Sequence, residues 1–515
     1  MYLTQGLHRA VQHHPGQAMT IYGTRVRTHA EVADRTARLA AALRGLGVNP
    51  GDRVAMLALN SDRYAEYLLA VPWADAVLNP VNVRWSAAEI AYSLVDSGST
   101  VLFVDDRFAP AVPALRAAHP GLRTVIHCGD GEPPEGMLSY EELISAHEPV
   151  GDARRGGQDL AGVFYTGGTT GSPKGVMLSH AALATSTYGL AAGGRTYAPG
   201  DRFLHVAPMF HLADFAGFYA VLLLGGSHVM VPGFEPRAVL EALERHRVTA
   251  TLLVPTMIQM LVDHPDVADF DLTNLRSVMY GASPISQAVL DRAMKVFGGA
   301  DFTQGYGMTE LAPVATLLSP EDHRDGSRLR SAGRAAPHVE VRVVDIDGLE
   351  VPTGTTGEIT VRGGNVMQGY WNKPEETAAV LRDGWMHTGD GGYLDEDGYL
   401  YVVDRLKDMI VSGGENVYST EVENALAAHP AVAQCAVIGV PDEQWGERVH
   451  AVIVLQDGMR ATAEELRAHT KTLIANYKAP RTIEFADSLP ISGAGKILKR
   501  ELREKHWNAT DRRVN

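Results

Sequence analysis

The chain is poor in cysteine. Its 515 residues include two, Cys128 and Cys435, far apart in sequence. They cannot supply a disulfide framework or a cysteine-based metal site, and a reducing cytoplasm suits such a chain. Long apolar runs are missing as well. The longest, Phe215 to Gly226, is too short to span a bilayer, and the opening MYLTQGLHRAVQHHPGQAMT holds no apolar core of signal-peptide length. A soluble protein is expected. Basic charge is in deficit: 46 Lys+Arg against 61 Asp+Glu give a formal net charge of -15. That disfavours nucleic acids and anionic membranes as non-specific partners, because both need a basic surface, but it leaves room for a local nucleotide pocket. Internal repeats and low-complexity tracts are absent. So are the Walker spacing and the GxSxG elbow, and a P-loop kinase is disfavoured accordingly. The 20 histidines show no HExxH or HxH spacing, so no histidine cluster for magnesium is indicated.

What is present is an ordinary globular composition, 45% hydrophobic and 21% charged, with 52 Gly and 27 Pro spread along the chain. The length suggests more than one domain. Helices and strands alternate through roughly the first 330 residues. Thr28 and Glu31 spell a capping box opening an amphipathic helix, and Ser86 and Glu89 open another. Short apolar runs between helices, at 54–59, 101–106, 124–128, 228–232, 251–255 and 277–281, read as buried parallel strands covered on both faces. After about residue 335 the runs 339–345, 357–363 and 399–404 alternate and are separated by Gly and Asp turns, which predicts a small antiparallel sheet or barrel. A capping box at Thr420 and Glu423 is expected to restart helix, and strands and helices follow to about 505. The boundary is placed near Asp404–Lys407, and the last ten residues read as a frayed tail.

The densest local signal is Tyr165-Thr-Gly-Gly-Thr-Thr-Gly-Ser-Pro-Lys-Gly175, which follows an apolar run and precedes a helix pattern from Ser179. Glycines and threonines packed this closely offer N–H and O–H donors that can wrap phosphate oxygens, and Lys174 adds a positive charge. Spacing alone also permits a surface hairpin of small residues.

This stretch resembles the phosphate-loop signature of the adenylate-forming superfamily: acyl-CoA synthetases, peptide-synthetase adenylation domains and luciferases. Further matches follow in the family's order: Tyr280-Gly-Ala-Ser-Pro284, Gln304-Gly-Tyr-Gly-Met-Thr-Glu310, Trp385-Met-His-Thr-Gly-Asp390, Tyr401-Val-Val-Asp-Arg-Leu-Lys-Asp408, Ser412-Gly-Gly-Glu-Asn416 and Pro490-Ile-Ser-Gly-Ala-Gly-Lys-Ile-Leu-Lys499. The chain is most similar to bacterial fatty-acyl- or aryl-CoA ligases. The resemblance implies an α/β fold. Its large N-terminal domain, residues 1–404, would hold two α/β subdomains and a small β-barrel. A mobile α+β C-terminal domain, 405–515, would turn about a hinge near Lys407.

The resemblance also implies the chemistry. ATP activates a carboxylic acid as acyl-AMP with release of pyrophosphate, and the acyl group then passes to the thiol of coenzyme A, with Mg2+ neutralising phosphate charge. The alternative is a stand-alone adenylation enzyme serving a carrier protein, an amine or another nucleophile. A non-catalytic nucleotide-binding protein is opposed by the intact charged positions. Thr166, Gly167, Gly168, Thr169, Thr170, Gly171 and Lys174 would hold the phosphates. Gly281, Ala282, Ser283, Gln304, Gly305, Tyr306, Gly307, Met308, Thr309, Asp390, Val402 and Arg405 would complete the nucleotide site. Within it Tyr306 stacks on adenine, Thr309 meets the α-phosphate, and Asp390 and Arg405 grip the ribose. Glu310 would position Mg2+. Lys496 would bridge the acid and the α-phosphate, where a fixed ammonium meets growing negative charge. Gly413 and Gly414 would line the coenzyme A tunnel. His211, Ala213, Asp214, Gly217, Gly281, Gly307, Pro313 and Val314 would lie about the acyl group. Most of these are small, which predicts a roomy cavity. Glu310, Thr166, Lys496 and His211 would be the catalytic set. His211 and Asp214 each have a plainer reading, as a core histidine and a helix cap. Gly167 stands where the family usually has Ser, and Ser419 replaces a common Pro, which should loosen that helix start. The expected partners are thus small molecules, a carboxylic acid, ATP and coenzyme A, with no nucleic acid and no membrane span; a carrier protein and a homodimer are admissible.

Overall fold

The computed structural model describes residues 1–166, 173–193, 196–283, 285–405, 408–412, 415–442, 445–491 and 497–507. Of the expected site residues, Gly167, Gly168, Thr169, Thr170, Gly171, Lys407, Gly413, Gly414 and Lys496 lie outside them, as does the side chain of Arg405. The chain forms two compact units. The first comprises Met1–Ala282, Arg292–Val341 and Val361–Met386; the second comprises Ser283–Asp291, Arg342–Thr360 and His387–Asn515. Compactness therefore assigns 342–360 and 387–404 to the second unit, ahead of the expected 404/405 boundary.

The first unit is built on two large sheets. One has nine strands, in the order Arg334–Ala335, Val314–Leu318, Asp301–Gly307, Ser277–Gly281, Ala250–Leu253, Arg202–His205, Ser227–Met230, Ala18–Tyr22 and Arg25–Thr28. The six from Asp301–Gly307 to Ala18–Tyr22 run parallel, and the outer ones pair antiparallel. The other has eight strands, with Val77–Pro80, Arg53–Leu57, Val101–Val104 and Thr124–His127 at its parallel centre. Those central strands are buried almost throughout, as their apolar runs require. Both expected capping boxes form: Thr28 with Glu31 opens His29–Gly45, and Ser86 with Glu89 opens Ala87–Ser97. The apolar run at 215–226 is mostly the buried helix Leu212–Leu223. Among the described residues no helix is long and apolar enough to cross a membrane.

The alternating runs after residue 335 form the small antiparallel sheet. It holds Val339–Val344, Gly357–Gly363, Trp385–Leu394 and Leu381–Arg382, with Leu400–Arg405 beside Trp385–Leu394. A last sheet, Glu415–Val417, Ile410–Ser412, Gly446–Leu455, Val432–Asp442 and Thr482–Phe485, packs its apolar face on the helices Ser419–Ala427 and Ala463–Leu473.

Three local expectations are corrected here. The helix near 420 begins at Ser419, and its N-cap Tyr418 makes no side-chain cap. Glu423 is drawn away from Thr420, because its carboxylate accepts from Val437 N–H at 2.7 Å and pairs with Lys499 at 2.7 Å. Ser419 does not loosen the helix start: its N–H and its hydroxyl both donate to Asp404 Oδ2 at 2.6 Å. The tail is not frayed from its first residues, since Trp507 Nε1 donates to Gly439 O at 3.0 Å.

Candidate active site

The apolar run before the glycine–threonine stretch becomes the strand Leu160–Thr166, and the chain returns as Lys174–Ser179. The two pair antiparallel with Thr166 opposite Lys174, so the phosphate-loop sequence is the connection of a hairpin. Gly175 is required there. A Cβ on it would sit 2.7 Å from Val163 and 3.2 Å from Trp371. A third short strand, Gly369–Tyr370, lies along the outer edge of the hairpin, with Tyr370 opposite Val176.

The second group of motif residues rests on the neighbouring strands Ser277–Gly281 and Asp301–Gly307, with Gly281 opposite Gly305. A Cβ on Gly281 would lie 2.2 Å from Gly305 O, and one on Gly307 would lie 2.0 Å from Pro313 O. Only bare backbone fits at the carboxyl ends of these parallel strands, the place where α/β sheets take ligands. Ala282 continues in the left-handed region at φ 68°. Tyr280 donates from a buried hydroxyl to His323 Nε2 at 2.9 Å, and burial pushes that phenol up and the His323 imidazole down. Tyr306 stays half-buried on the strand, and Met308 is extended before the short turn Thr309–Leu311.

Glu310, on that turn, is buried at 6% exposure. Its Oε1 accepts from the Tyr370 hydroxyl at 2.7 Å, and its backbone carbonyl accepts from Met367 N–H at 2.9 Å. Burial and the adjoining carboxylate push the Tyr370 phenol up, so it is a neutral donor at physiological pH. The face of the same ring carries the Lys174 ammonium, 4.9 Å from the centroid. Tyr370 thereby ties the hairpin lysine to the acidic turn. Nothing in the sequence marked it. A lone tyrosine in Gln368-Gly-Tyr-Trp reads as core, and only the pairing of Gly369–Tyr370 with the hairpin reveals its position. A buried carboxylate held by a neutral donor suits a hard cation such as Mg2+, which takes oxygen ligands shared with phosphate.

Of the expected acyl residues, Ala213, Asp214 and Gly217 lie on the helix Leu212–Leu223 and His211 at its start. Ala213 and Val314 belong to one apolar cluster with Tyr197, Phe203, Leu252 and Met279. The space that Gly217 leaves is filled: a Cβ there would meet Phe203 at 2.9 Å and the Tyr197 hydroxyl at 3.3 Å. At this position the expectation of a roomy cavity fails. Asp214 neither caps the helix nor meets solvent. Its Oδ2 lies 2.7 Å from His205 Nδ1, and His205 Nε2 lies 3.0 Å from His228 Nδ1. Burial raises the Asp214 carboxyl, against the pull of His205, and lowers the His228 imidazole. His211 is the N-cap residue of the helix, its ring 4.2 Å from that of Phe210.

In the second unit, Asp390 on Trp385–Leu394 stands opposite Arg405 on Leu400–Arg405, and Val402 stands opposite Gly392. The approach to Asp390 is held from below. Thr388 donates to Ile359 O at 2.7 Å and accepts from Asp390 N–H at 3.1 Å, while Gly389, at φ 72°, donates to Glu358 at 3.1 Å. Ser283 also falls in this unit.

The family model of AMP-binding enzymes matches residues 7–371, and that of the AMP-binding enzyme C-terminal domain matches residues 421–496. The chain belongs to the AMP-binding enzymes. This AMP-binding enzyme is 43% identical to a feruloyl-CoA synthase of an Amycolatopsis species over 94% of its own length and 95% of that relative's. It is 37% identical to ScoC, a fatty acid–[acyl-carrier-protein] ligase of Streptomyces coeruleorubidus, over 98% of its length and 96% of that relative's. The solved structure of the anthranilate CoA ligase AuaEII, in complex with anthranoyl-AMP, superposes with a TM-score of 0.92 at 28% identity, covering 98% of this chain and 97% of that one. The AMP-binding enzyme is thus a ligase, and its α/β fold with a distinct C-terminal part is the one its sequence led us to expect.

Proposed function

We infer that this enzyme uses ATP to convert a carboxylic acid into its acyl-AMP, releasing pyrophosphate, and then passes the acyl group to the thiol of coenzyme A. The single observation that supports this reading most is the convergence of Thr166, Lys174, Tyr370 and Glu310 in one place from three separate stretches of chain. A carboxylate resists nucleophiles because its oxygen leaves badly, and AMP supplies the good leaving group. Lys174 and the hydroxyls beginning at Thr166 hold the departing phosphates. Glu310 holds Mg2+, which neutralises phosphate charge when bound. Asp390 and Arg405 take the ribose, Tyr306 takes the adenine face, and Lys496 places the acid against the α-phosphate. Thioester formation needs Lys496 withdrawn and a path for pantetheine along Gly413 and Gly414, which is the reason for a hinge at Lys407.

The acid is aromatic or a medium to long aliphatic chain, taken up away from the filled space at Gly217. Coenzyme A is the acceptor, and the cytoplasm, where two free cysteines survive, is the compartment. The similarity to ScoC supports a second reading in which a carrier protein takes the acyl group. The test is a panel of aryl and fatty acids scored for acid-dependent ATP–pyrophosphate exchange, then for AMP and thioester with and without coenzyme A. Exchange without any thioester from coenzyme A would favour the carrier protein. No exchange with any acid would reject both readings.

A further inference from the structure

The second unit holds a side-chain cluster that the ligase chemistry does not use. Strand Thr482–Phe485 runs parallel to Gly446–Leu455, with Thr482 opposite His450 and Glu484 opposite Val452. Alternate residues of a strand share a face, so His450, Val452, Thr482 and Glu484 stand on one side of the sheet. The helix Lys499–Glu504 covers that side, where Leu502 packs with Ile438 and Val452. Beyond the helix, His506 N–H donates to Arg503 O at 2.8 Å and Trp507 is pinned to Gly439. This turn lays the His506 ring 4.8 Å from that of His450. One donor atom each from His450, Glu484 and His506 then falls within 4.8 Å of the others.

His450 is 6% exposed, and its Nε2 is buried without a hydrogen-bond partner. Its Nδ1 lies 2.7 Å from Thr482 Oγ1. The tautomer that donates Nδ1–H to Thr482 leaves a bare lone pair on Nε2. Glu484 Oε2 is 3.6 Å from that atom, too far for a hydrogen bond. It is close to the separation of about 3.4 Å that two donors have on one tetrahedral ion.

We propose that His450, Glu484 and His506 bind a divalent transition-metal cation of the Zn2+ type, which fastens the chain beyond the last helix to the sheet. Two imidazoles and one carboxylate suit Zn2+, whereas Mg2+ prefers an all-oxygen octahedron. Thr482 acts as the outer partner that fixes the His450 ring. The site is separate from the nucleotide chemistry, so it stands or falls without reference to the ligase reading.

The test uses the full-length, untagged protein, stripped with a chelator and titrated with Zn2+ against a chromophoric competitor in excess Mg2+, with no ATP or acid present. One equivalent of Zn2+ is expected to be withheld from the competitor and to raise the melting temperature. Thr482→Val should weaken binding roughly 10- to 100-fold, and His506→Ala, on the last described turn, should abolish both effects. The proposal is overturned if the wild type withholds no stoichiometric Zn2+, or if His506→Ala and Glu484→Gln both bind as the wild type does.

Discussion

Replacing Tyr370 by phenylalanine removes one oxygen and leaves the ring in place. The ring keeps its contact with Lys174, a cation–π interaction of about 0.5–2 kcal/mol. Glu310 loses the donor that meets its Oε1 at 2.7 Å. A hydrogen bond to a charged group is worth about 1.5–3 kcal/mol, and more of that is felt where water cannot replace the donor. If Glu310 must be held in place for adenylation, the loss converts to roughly 10- to 150-fold in rate. The assay separates the half-reactions. Acid-dependent ATP–pyrophosphate exchange should fall by that factor, and the Mg2+ concentration for half-maximal exchange should rise. Thioester formation from supplied acyl-AMP, which needs neither ATP nor its metal, should stay near the wild-type rate. In a Glu310→Gln background the second substitution should add little, because the two residues act as one unit. Wild-type exchange by Tyr370→Phe, or equal loss in both half-reactions, would refute the reasoning.

Other outcomes follow from the same geometry. Lys496→Ala should lower exchange by about 100- to 1000-fold, the scale of losing one charge-stabilising donor, yet spare thioester formation from supplied acyl-AMP; equal loss of both steps would count against domain alternation. Gly281→Ala places a Cβ 2.2 Å from Gly305 O, so denaturant melts should show a loss of about 1–3 kcal/mol and ATP titrations a weakened site. His180 is buried with both ring nitrogens unpartnered, and burial pushes its pKa from 6.5 down to about 4. The folded state keeps this imidazole neutral while the unfolded chain takes up a proton below pH 6.5, so stability should fall as pH drops from 6.5 towards 4, by about 3 kcal/mol in all. His180→Leu should flatten that part of the stability–pH curve measured by denaturant unfolding; an unchanged slope would assign the acid sensitivity elsewhere, to His29 or His323.

Much of the architecture is legible in the sequence, because it depends on neighbours along the chain. Capping boxes at Thr28 and Ser86 need only a residue three positions on, and both form. Apolar runs of strand length between helices specify a parallel sheet through burial of both faces. The Thr420 box failed for the converse reason: Glu423 found Lys499 and the Val437 amide, partners that no local spacing shows. Asp214 followed the same course, since its partner His205 is set by how a helix lies on a strand.

The sequence by itself determined the family and the chemistry of the motifs, because glycine and threonine loops, charged positions and their order survive as a one-dimensional pattern. Only the tertiary structure decided which residues meet from a distance: Tyr370 between Lys174 and Glu310, Tyr197 and Phe203 in the space left by Gly217, and, apart from those motifs, His506 over His450. The physical reason is that strand register and helix packing bring together side chains far apart along the chain. Contacts of a few ångströms across such separations leave no periodic trace in the sequence.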